Sequence, residues 1–207
     1  MLLEINSTNP DKRKIDRVVE CLKDGGLIVF PTDTVYALGC DIKSNSAFEK
    51  VCRLKGVKTD KANFSFIMND LSHISNYTKP FDRAVFKLLN KALPGAYTFI
   101  LNANSEVPSI FRSKKKTIGI RVPDNKIAYS IVELLGNPVM ATSLHSDQDN
   151  FLEYPISAYE IFERYANDVD IVIDGGDGHI VPSTIIDCTG DEPVLIRQGA
   201  GNSSILD

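Results

Sequence analysis

The sequence predicts one α/β domain in which helices pack against a mixed sheet. A chain of 207 residues with 43% hydrophobic content suits a single core, and helical and strand patterns alternate along it. No internal repeat and no Gly/Ser/Pro-rich linker divides the chain. We therefore take residues 1–207 as one domain, and we expect ligands to bind where its strands end in loops.

Helices are predicted where apolar residues recur every three or four positions. Residues 16–23 have this spacing, and the Gly-Gly pair at 25–26 is typical of the end of a helix. Pro80 interrupts a longer apolar pattern, which Pro94 ends, so a pair of helices is expected there. In chain order, the predicted helices are residues 16–23, 46–54, two within 72–93, 127–135 and 158–165.

Strands are predicted from short apolar or β-branched runs that turn residues delimit. The run 27–30 directly follows the first helix and has no polar residue, as in a strand that is buried on both faces. In chain order, the predicted strands are residues 27–30, 64–68, 97–101, 117–121, 139–142, 170–173, 183–187 and 194–197.

Composition excludes several classes of protein. The longest apolar runs, residues 26–31 and 169–173, are far shorter than the roughly 20 residues that cross a bilayer. The N-terminus lacks the basic start and apolar run of a secretion signal, so we expect a cytoplasmic protein with no membrane partner. The net charge of -4 gives no overall attraction to nucleic acid, and any RNA contact must be local.

The cysteines are scattered along the chain without a C-x-x-C pair. Zinc sites need closer spacing together with histidine, so buried free thiols are expected instead. The four are Cys21, Cys40, Cys52 and Cys188.

Three hydroxyl-rich turns follow predicted strands, at residues 31–36, 141–145 and 182–185. Hydroxyl groups and exposed backbone N–H groups at strand ends suit phosphate or carboxylate oxygens. Each turn taken alone is a weak signal, because Ser/Thr clusters are common in ordinary turns and helix caps.

Cationic side chains accompany these turns. Arg121 and Arg197 each end an apolar strand, where an arginine can bind a carboxylate or phosphate with two hydrogen bonds. The lysines could bind phosphates or form solvated surface. They are Lys55, Lys58 and Lys61, which cluster with Arg53, and the run Lys114-Lys115-Lys116.

Other familiar chemistries have no support. The sequence lacks a G-x-x-x-x-G-K-[ST] phosphate loop, a G-x-G-x-x-G dinucleotide motif and a G-x-S-x-G nucleophile turn. Residues 174–179 lack the final glutamate of a calcium hand, so a tight turn is expected there and no metal site is predicted.

Several motifs together resemble the YrdC/YciO-type family. Residues 31–39, PTDTVYALG, resemble its P-T-[DE]-T-x-Y-x-L-G signature. The other family motifs follow in the same order and spacing: Leu93-Pro94-Gly95 before a strand with Thr98, Gly119-Ile120-Arg121-Val122-Pro123, Thr142-Ser143, and Ser183-Thr184-Ile185-Ile186-Asp187 through Arg197 to Gly199. The resemblance covers nearly the whole chain.

The resemblance implies a RibB-like fold, a twisted, partly parallel sheet around a large cavity. It also implies the reaction of threonylcarbamoyl-AMP synthases, which join L-threonine, bicarbonate or CO₂, and ATP into threonylcarbamoyl-AMP and pyrophosphate. That product is the precursor of N6-threonylcarbamoyladenosine in tRNA. A Mg²⁺ ion would bridge the triphosphate oxygens, and no protein ligand can be assigned to it.

The resemblance also implies roles for particular residues. Thr32, Arg121, Thr142 and Ser183 would hold the amino acid, with Tyr36 as a wall of its pocket. Nucleotide contacts would come from Lys55, Thr117, Ser143, His145 and Arg197. Of these, Lys55 and Arg197 would lie near the phosphates as the catalytic cations.

Three positions depart from the synthase pattern. Val57 replaces the arginine of K-x-R, His145 replaces the asparagine of S-x-N, and Ile67 stands where synthases carry a histidine. Together with Leu144 and residues 63–66, these departures favour the YciO branch. The alternative function is therefore binding of a nucleotide, tRNA or double-stranded RNA without synthase activity, with Lys58, Lys61 and Lys114–Lys116 along the phosphate backbone.

Overall fold

A computed structural model describes residues 1–59, 64–111, 116–144 and 155–206. Within these residues the strands are β1 Leu2–Glu4, β2 Ile28–Phe30, β3 Ala37–Asp41, β4 Ser65–Ile67, β5 Tyr97–Asn102, β6 Thr117–Arg121, β7 Val139–Ser143, β8 Ile171–Asp174, β9 Thr184–Asp187 and β10 Val194–Arg197. The α-helices are α1 Lys12–Lys23, α2 Asn45–Leu54, α3 Arg83–Ala92, α4 Lys126–Leu135 and α5 Ala158–Tyr165. Short 3₁₀ helices lie at Ile74–Asn76, Ser109–Phe111 and Ser203–Leu206.

The ten strands of the described residues form one sheet in the order β1-β8-β2-β3-β7-β4-β6-β5-β9-β10. Four neighbouring pairs are parallel, namely β1–β8, β8–β2, β4–β6 and β5–β9. The other five pairs are antiparallel. The predicted mixed, partly parallel sheet is confirmed.

Helices cover both faces of the sheet, and each face has its own core. On one face, α1 and α4 pack with strand residues such as Ile28, Phe30 and Ile67. On the other face, α2, α3 and α5 pack with alternate residues such as Val29 and Phe66. Since successive strand residues point to opposite faces, the apolar run 28–30 supplies both cores at once.

Side-chain caps fix where the helices begin. Asp11 accepts a hydrogen bond from Lys14 N at 3.1 Å, so α1 begins a turn earlier than its apolar spacing predicts. Asn125 accepts hydrogen bonds from both Ile127 N and Ala128 N at 3.0 Å, which sets the start of α4 just after β6.

Sequence periodicity located most elements but missed β1 and β3. The five residues of β3 are all buried and include Gly39 and Asp41, so they show no apolar–polar alternation. The expected pair of helices within 72–93 is one 3₁₀ turn and α3, because Pro80 and the Asp82 cap delay the helix.

The remaining structural expectations concern thiols and the membrane. All four cysteines are free; three are buried and Cys21 is half-buried. Burial raises the pKa of Cys52 to about 11 and that of Cys188 to about 12, so these thiols stay protonated near neutral pH. In the described ranges, every helix is too short or too polar to span a bilayer.

The core between α4 and the sheet can be tested by truncation. Ile131 is 1% exposed, so Ile131→Ala is expected to lower the free energy of unfolding by about 2–5 kcal/mol through lost contacts and a cavity. Leu134→Ala is the matched control, because Leu134 lies on the same helix and is 39% exposed. Its effect, measured by urea denaturation, is expected to stay within about 0.5 kcal/mol. Equal losses in the two variants would contradict this packing.

Candidate active site

A cavity of about 140 Å³ opens on the sheet face that carries α1 and α4. The apolar contacts of these helices extend as far as Ile67 of β4, and the cavity floor continues from there over β6, β5 and β9. Strand register explains its composition. Ile67 lies beside Arg121, the Phe99–Ile120 pairing sets Arg121 beside Thr98, and Thr98 lies beside Ile185.

Gly119 has no side chain to fill the floor of this cavity. A Cβ atom at this position would lie 2.9 Å from the Ser65 hydroxyl and 3.3 Å from the Thr98 methyl group. Gly119 therefore leaves space between two hydroxyl-bearing side chains on the same face as Arg121.

The Arg121 guanidinium is the central cation of the cavity and is 7% exposed. Its Nη2 donates to the Thr32 hydroxyl at 3.1 Å, to the Thr34 hydroxyl at 2.6 Å and to the Asp33 carboxylate. The loop of residues 31–36 thus surrounds one nitrogen of a side chain that lies 89 residues farther along than Thr32. Arg121 Nε is buried and makes no hydrogen bond with any part of the chain that the structure describes.

Opposing effects act on the pKa of the Arg121 guanidinium. Burial lowers its pKa, the Asp33 carboxylate raises it, and the nearby Arg197 lowers it again. Arginine remains charged in proteins, so Asp33 compensates one buried cation while the second guanidinium leaves a local excess of positive charge. That excess favours an anionic ligand.

Arg197 reaches the cavity from β10, the last strand of the sheet. The pairing of β10 with β9 shifts register between Leu195 and Arg197, and such an irregularity redirects the side chain that follows it. Arg197 Nη2 donates to Ser183 O at 3.0 Å, and the Ser183 hydroxyl lies 2.8 Å from the Thr98 hydroxyl. These contacts connect β10, β9 and β5 at the cavity edge.

Close packing behind Arg197 requires glycine. A Cβ atom at Gly199 would lie 2.5 Å from both the carbonyl carbon and the carbonyl oxygen of Ser183. Gly199 N also donates to the Thr184 hydroxyl at 2.9 Å. The chain after β10 therefore supports the Ser183 backbone to which Arg197 is bound.

A third cation, Lys55, lies at the end of α2. Its Nζ donates to Ser143 O at 2.9 Å, which brings the C-terminus of α2 to the end of β7. Thr142 and Ser143 both line the cavity. Lys55 therefore lies next to Thr142 and Ser143, which belong to the predicted hydroxyl-rich turn.

The family model for Sua5/YciO/YrdC proteins, described as telomere recombination, matches residues 20–199. The chain belongs to this family. Uncharacterized protein YciO of Escherichia coli K12 is 42% identical over 199 residues, which are 96% of this chain and 95% of that protein. The threonylcarbamoyl-AMP synthase of Pyrococcus abyssi is 30% identical over 86% of this chain and 52% of the synthase, so the match spans about half of that enzyme.

Solved structures of the family agree with the fold. The crystal structure of E. coli YciO has a TM-score of 0.93 at 40% identity and covers 100% of this chain and 98% of that chain. The structure of P. abyssi Sua5 complexed with L-threonine has a TM-score of 0.87 at 27% identity, covering 96% of this chain and 57% of that chain. The predicted fold is thereby confirmed.

Within this family fold, the residues predicted to hold an amino acid take different positions. Arg121, Thr142 and Ser183 line the cavity, whereas Thr32 lies behind Arg121 as a hydrogen-bond acceptor. Tyr36 is directed elsewhere: its hydroxyl donates to Gly176 O at 2.6 Å, and burial raises its pKa to about 12. The wall expected from Tyr36 is supplied by its neighbours Val35 and Ala37.

The residues that were predicted to contact the nucleotide are more widely dispersed than those predicted to hold the amino acid. Lys55, Ser143 and Arg197 lie at or beside the cavity. Thr117 lies on the same face of β6 as Arg121, four residues away, which is about 13 Å along a strand. His145, together with Lys61, Lys114 and Lys115 of the RNA alternative, lies outside the described residues.

Several site residues were not among those predicted. Asp33 and Thr34 belong to the same motif as Thr32, and their contacts with Arg121 are visible only in three dimensions. Ser65 and Thr98 line the cavity because alternate residues of β4 and β5 face it. Thr98 could have been predicted from the sequence, because it is a hydroxyl residue in an otherwise apolar strand.

The Asp33–Arg121 pair can be tested by a double-mutant cycle. Asp33→Asn is expected to lower the free energy of unfolding by about 3 kcal/mol, because a buried guanidinium then loses its counter-charge. Arg121→Met is also expected to destabilise, because it leaves the largely buried Asp33 carboxylate without its counter-charge. The double variant is expected to recover much of the loss, and urea denaturation of the four proteins measures the coupling. Simple addition of the two losses would contradict a tightly coupled pair.

Proposed function

We propose that this protein is a nucleotidyltransferase that makes threonylcarbamoyl-AMP and pyrophosphate from L-threonine, bicarbonate or CO₂, and ATP. The observation that carries the proposal is the buried Arg121, fixed through one nitrogen by Asp33 and two threonines beside a second guanidinium. A carboxylate ligand would supply the acceptor that Arg121 Nε lacks among the described residues.

The chemistry requires anions to be gathered in one place. The threonine amine attacks CO₂, forms an N–C bond and loses a proton to give a carbamate. A carbamate oxygen then attacks the α-phosphorus of ATP and displaces pyrophosphate. The carbamate, the threonine carboxylate and the triphosphate all carry negative charge, so prearranged cations and hydroxyl donors lower the barrier by holding these groups together and stabilising the charge that develops.

The residues divide this work between two parts of the site. Arg121 would hold the amino-acid carboxylate, with Thr142 and Ser183 as hydroxyl donors. Arg197 and Lys55 would face the phosphates, and Ser143 would donate to nucleotide oxygens. A volume of about 140 Å³ suits an amino acid, whereas ligands of nucleotide size occupy roughly 300 Å³ or more, so the nucleotide would lie along the rim towards Lys55.

Magnesium fits this arrangement as a companion of the triphosphate. The described residues hold no group of three or more metal-ligating side chains. Mg²⁺ is commonly bound through substrate phosphates with few protein ligands, and it would neutralise phosphate charge when bound. Arg197 and Lys55 would then hold the remaining oxygens.

The structure shows the surroundings of Ile67 and Val57, two of the three residues that depart from the synthase pattern. Ile67 is part of the cavity floor beside Arg121, where it gives an apolar surface to the ligand. Val57 packs against the core of the α2 face, so that position supplies packing instead of a cation. The loss of one cation is the observation behind the alternative, a nucleotide- or RNA-binding protein without synthase activity.

The test is pyrophosphate release from ATP, Mg²⁺ and bicarbonate, with and without L-threonine, followed by mass detection of the adenylate. Arg197→Ala and Lys55→Ala are each expected to lower kcat/KM by about 100-fold or more, because each removes a donor to the developing charge. Lys43→Ala is the control: Lys43 is exposed at the start of the α2 segment, and its loss is expected to leave turnover unchanged.

The outcomes separate the two functions. Threonine-dependent pyrophosphate together with a threonylcarbamoyl-AMP mass supports the synthase. ATP binding without turnover for any amino acid rejects it. RNA binding that weakens steeply with salt would then favour the alternative.

A further inference from the structure

A second cavity, of about 120 Å³, lies away from the candidate active site. It is formed by the segment that follows β4, by the C-terminal end of α4 and by the connection between α4 and β7. Ile67 borders the first cavity and Met68 borders the second, and these two residues belong to the cores of opposite sheet faces. Nothing in the proposed synthase reaction uses this cavity.

Asn137 gives the second cavity a defined polar group. Its side chain is 7% exposed, and its Nδ2 donates to Asp41 Oδ1 at 2.8 Å and to Pro138 O at 3.0 Å. A carboxylate and a carbonyl can only accept, so they fix which end of the amide is nitrogen. Both N–H groups are thereby used. The Oδ1 atom accepts no hydrogen bond from the described residues and is left as an acceptor for the cavity that Asn137 lines.

The charges around this acceptor are negative. Asp41 is 5% exposed and lies directly behind the Asn137 amide, while Glu133 stands at the cavity rim. The C-terminus of α4 adds the partial negative charge of its last carbonyl groups. The described residues that line the cavity include no lysine or arginine, and His73 is the basic side chain among them. The pKa of Tyr77, another lining residue, is raised by burial and then by Asp41 and Glu106, in agreement with this field.

The walls between these groups are partly apolar. Met68, Val132 and Pro138 offer aliphatic surface, and the Tyr77 ring offers a face of the kind that attracts organic cations. An apolar cavity of about 150 Å³ accommodates a ligand the size of benzene, so about 120 Å³ suits roughly five or six non-hydrogen atoms.

We propose that this second cavity binds a small organic cation of the alkylammonium type. The ammonium group donates to Asn137 Oδ1 in the field of Asp41 and Glu133, and the short alkyl chain packs on Met68, Val132 and Pro138. A free diamine and the end of a lysine side chain share this chemistry. The cavity is thus electrostatically opposite to the anion-binding active site.

Isothermal titration of the full-length protein with 1,4-diaminobutane tests the proposal, and 1,4-butanediol is the neutral control of equal length. The diamine is expected to bind saturably and the diol is not. Glu133→Lys is expected to weaken diamine binding by about fivefold or more, since it exchanges an attractive rim charge for a repulsive one. Glu160→Lys on α5 changes the net charge equally at an exposed position away from the cavity and is expected to leave binding unchanged.

A second ligand distinguishes the source of the cation. Binding of the diamine but not of Nα-acetyl-lysine amide supports a free amine as the occupant, and binding of both supports a lysine side chain as well. Equal binding of the diamine and the diol, absence of diamine binding, or equal effects of Glu133→Lys and Glu160→Lys would overturn the proposal.

Discussion

The buried charge of Arg121 is the constraint on which the site depends. A guanidinium that is 7% exposed is tolerated only with a counter-charge and hydrogen-bond acceptors, which Asp33, Thr32 and Thr34 supply. The loop of residues 31–36 must therefore fold onto β6 for the core to be stable. The proposed binding of a carboxylate and the stability of the fold consequently depend on the same four side chains.

The sheet topology explains how distant segments build one cavity. β4 and β6 are parallel neighbours, whereas β9 enters beside β5 from near the end of the chain. Arg197 then depends on the register shift of the last strand and on the backbone of Ser183. Because Arg121 and Arg197 come from different strands of one sheet, the distance between them is set by strand pairing, which is stiffer than a loop. Two like charges can be held together in this way before any anion arrives.

Local sequence patterns predicted much of this structure. They could not predict contacts between residues that are far apart along the chain. Apolar periodicity located α4 and β6 to within one residue, because α4 has apolar residues every three or four positions and β6 alternates between apolar and other residues. Hydroxyl turns and strand-end arginines marked Arg121, Ser143 and Ser183 as candidate binding residues, and the family resemblance implied that they share one cavity. Spacing could not show that Tyr36 turns away to Gly176 or that Asp33 faces Arg121, because both depend on pairings more than 80 residues apart along the chain. The same holds for Asn137, whose orientation is fixed by Asp41 across 96 residues.

Two consecutive residues, Ile67 at the end of β4 and Met68 just after it, relate the two cavities to each other. Ile67 faces the cationic cavity and Met68 faces the acidic one, while Met68 N donates to Arg121 O at 2.9 Å. β4 is hydrogen-bonded to a neighbouring strand on each side. Burial on both faces makes β4 costly to displace, because any shift would disturb two packed cores at once. The wall that Ile67 and Met68 provide to the two cavities is therefore held in place by packing on both faces of the sheet.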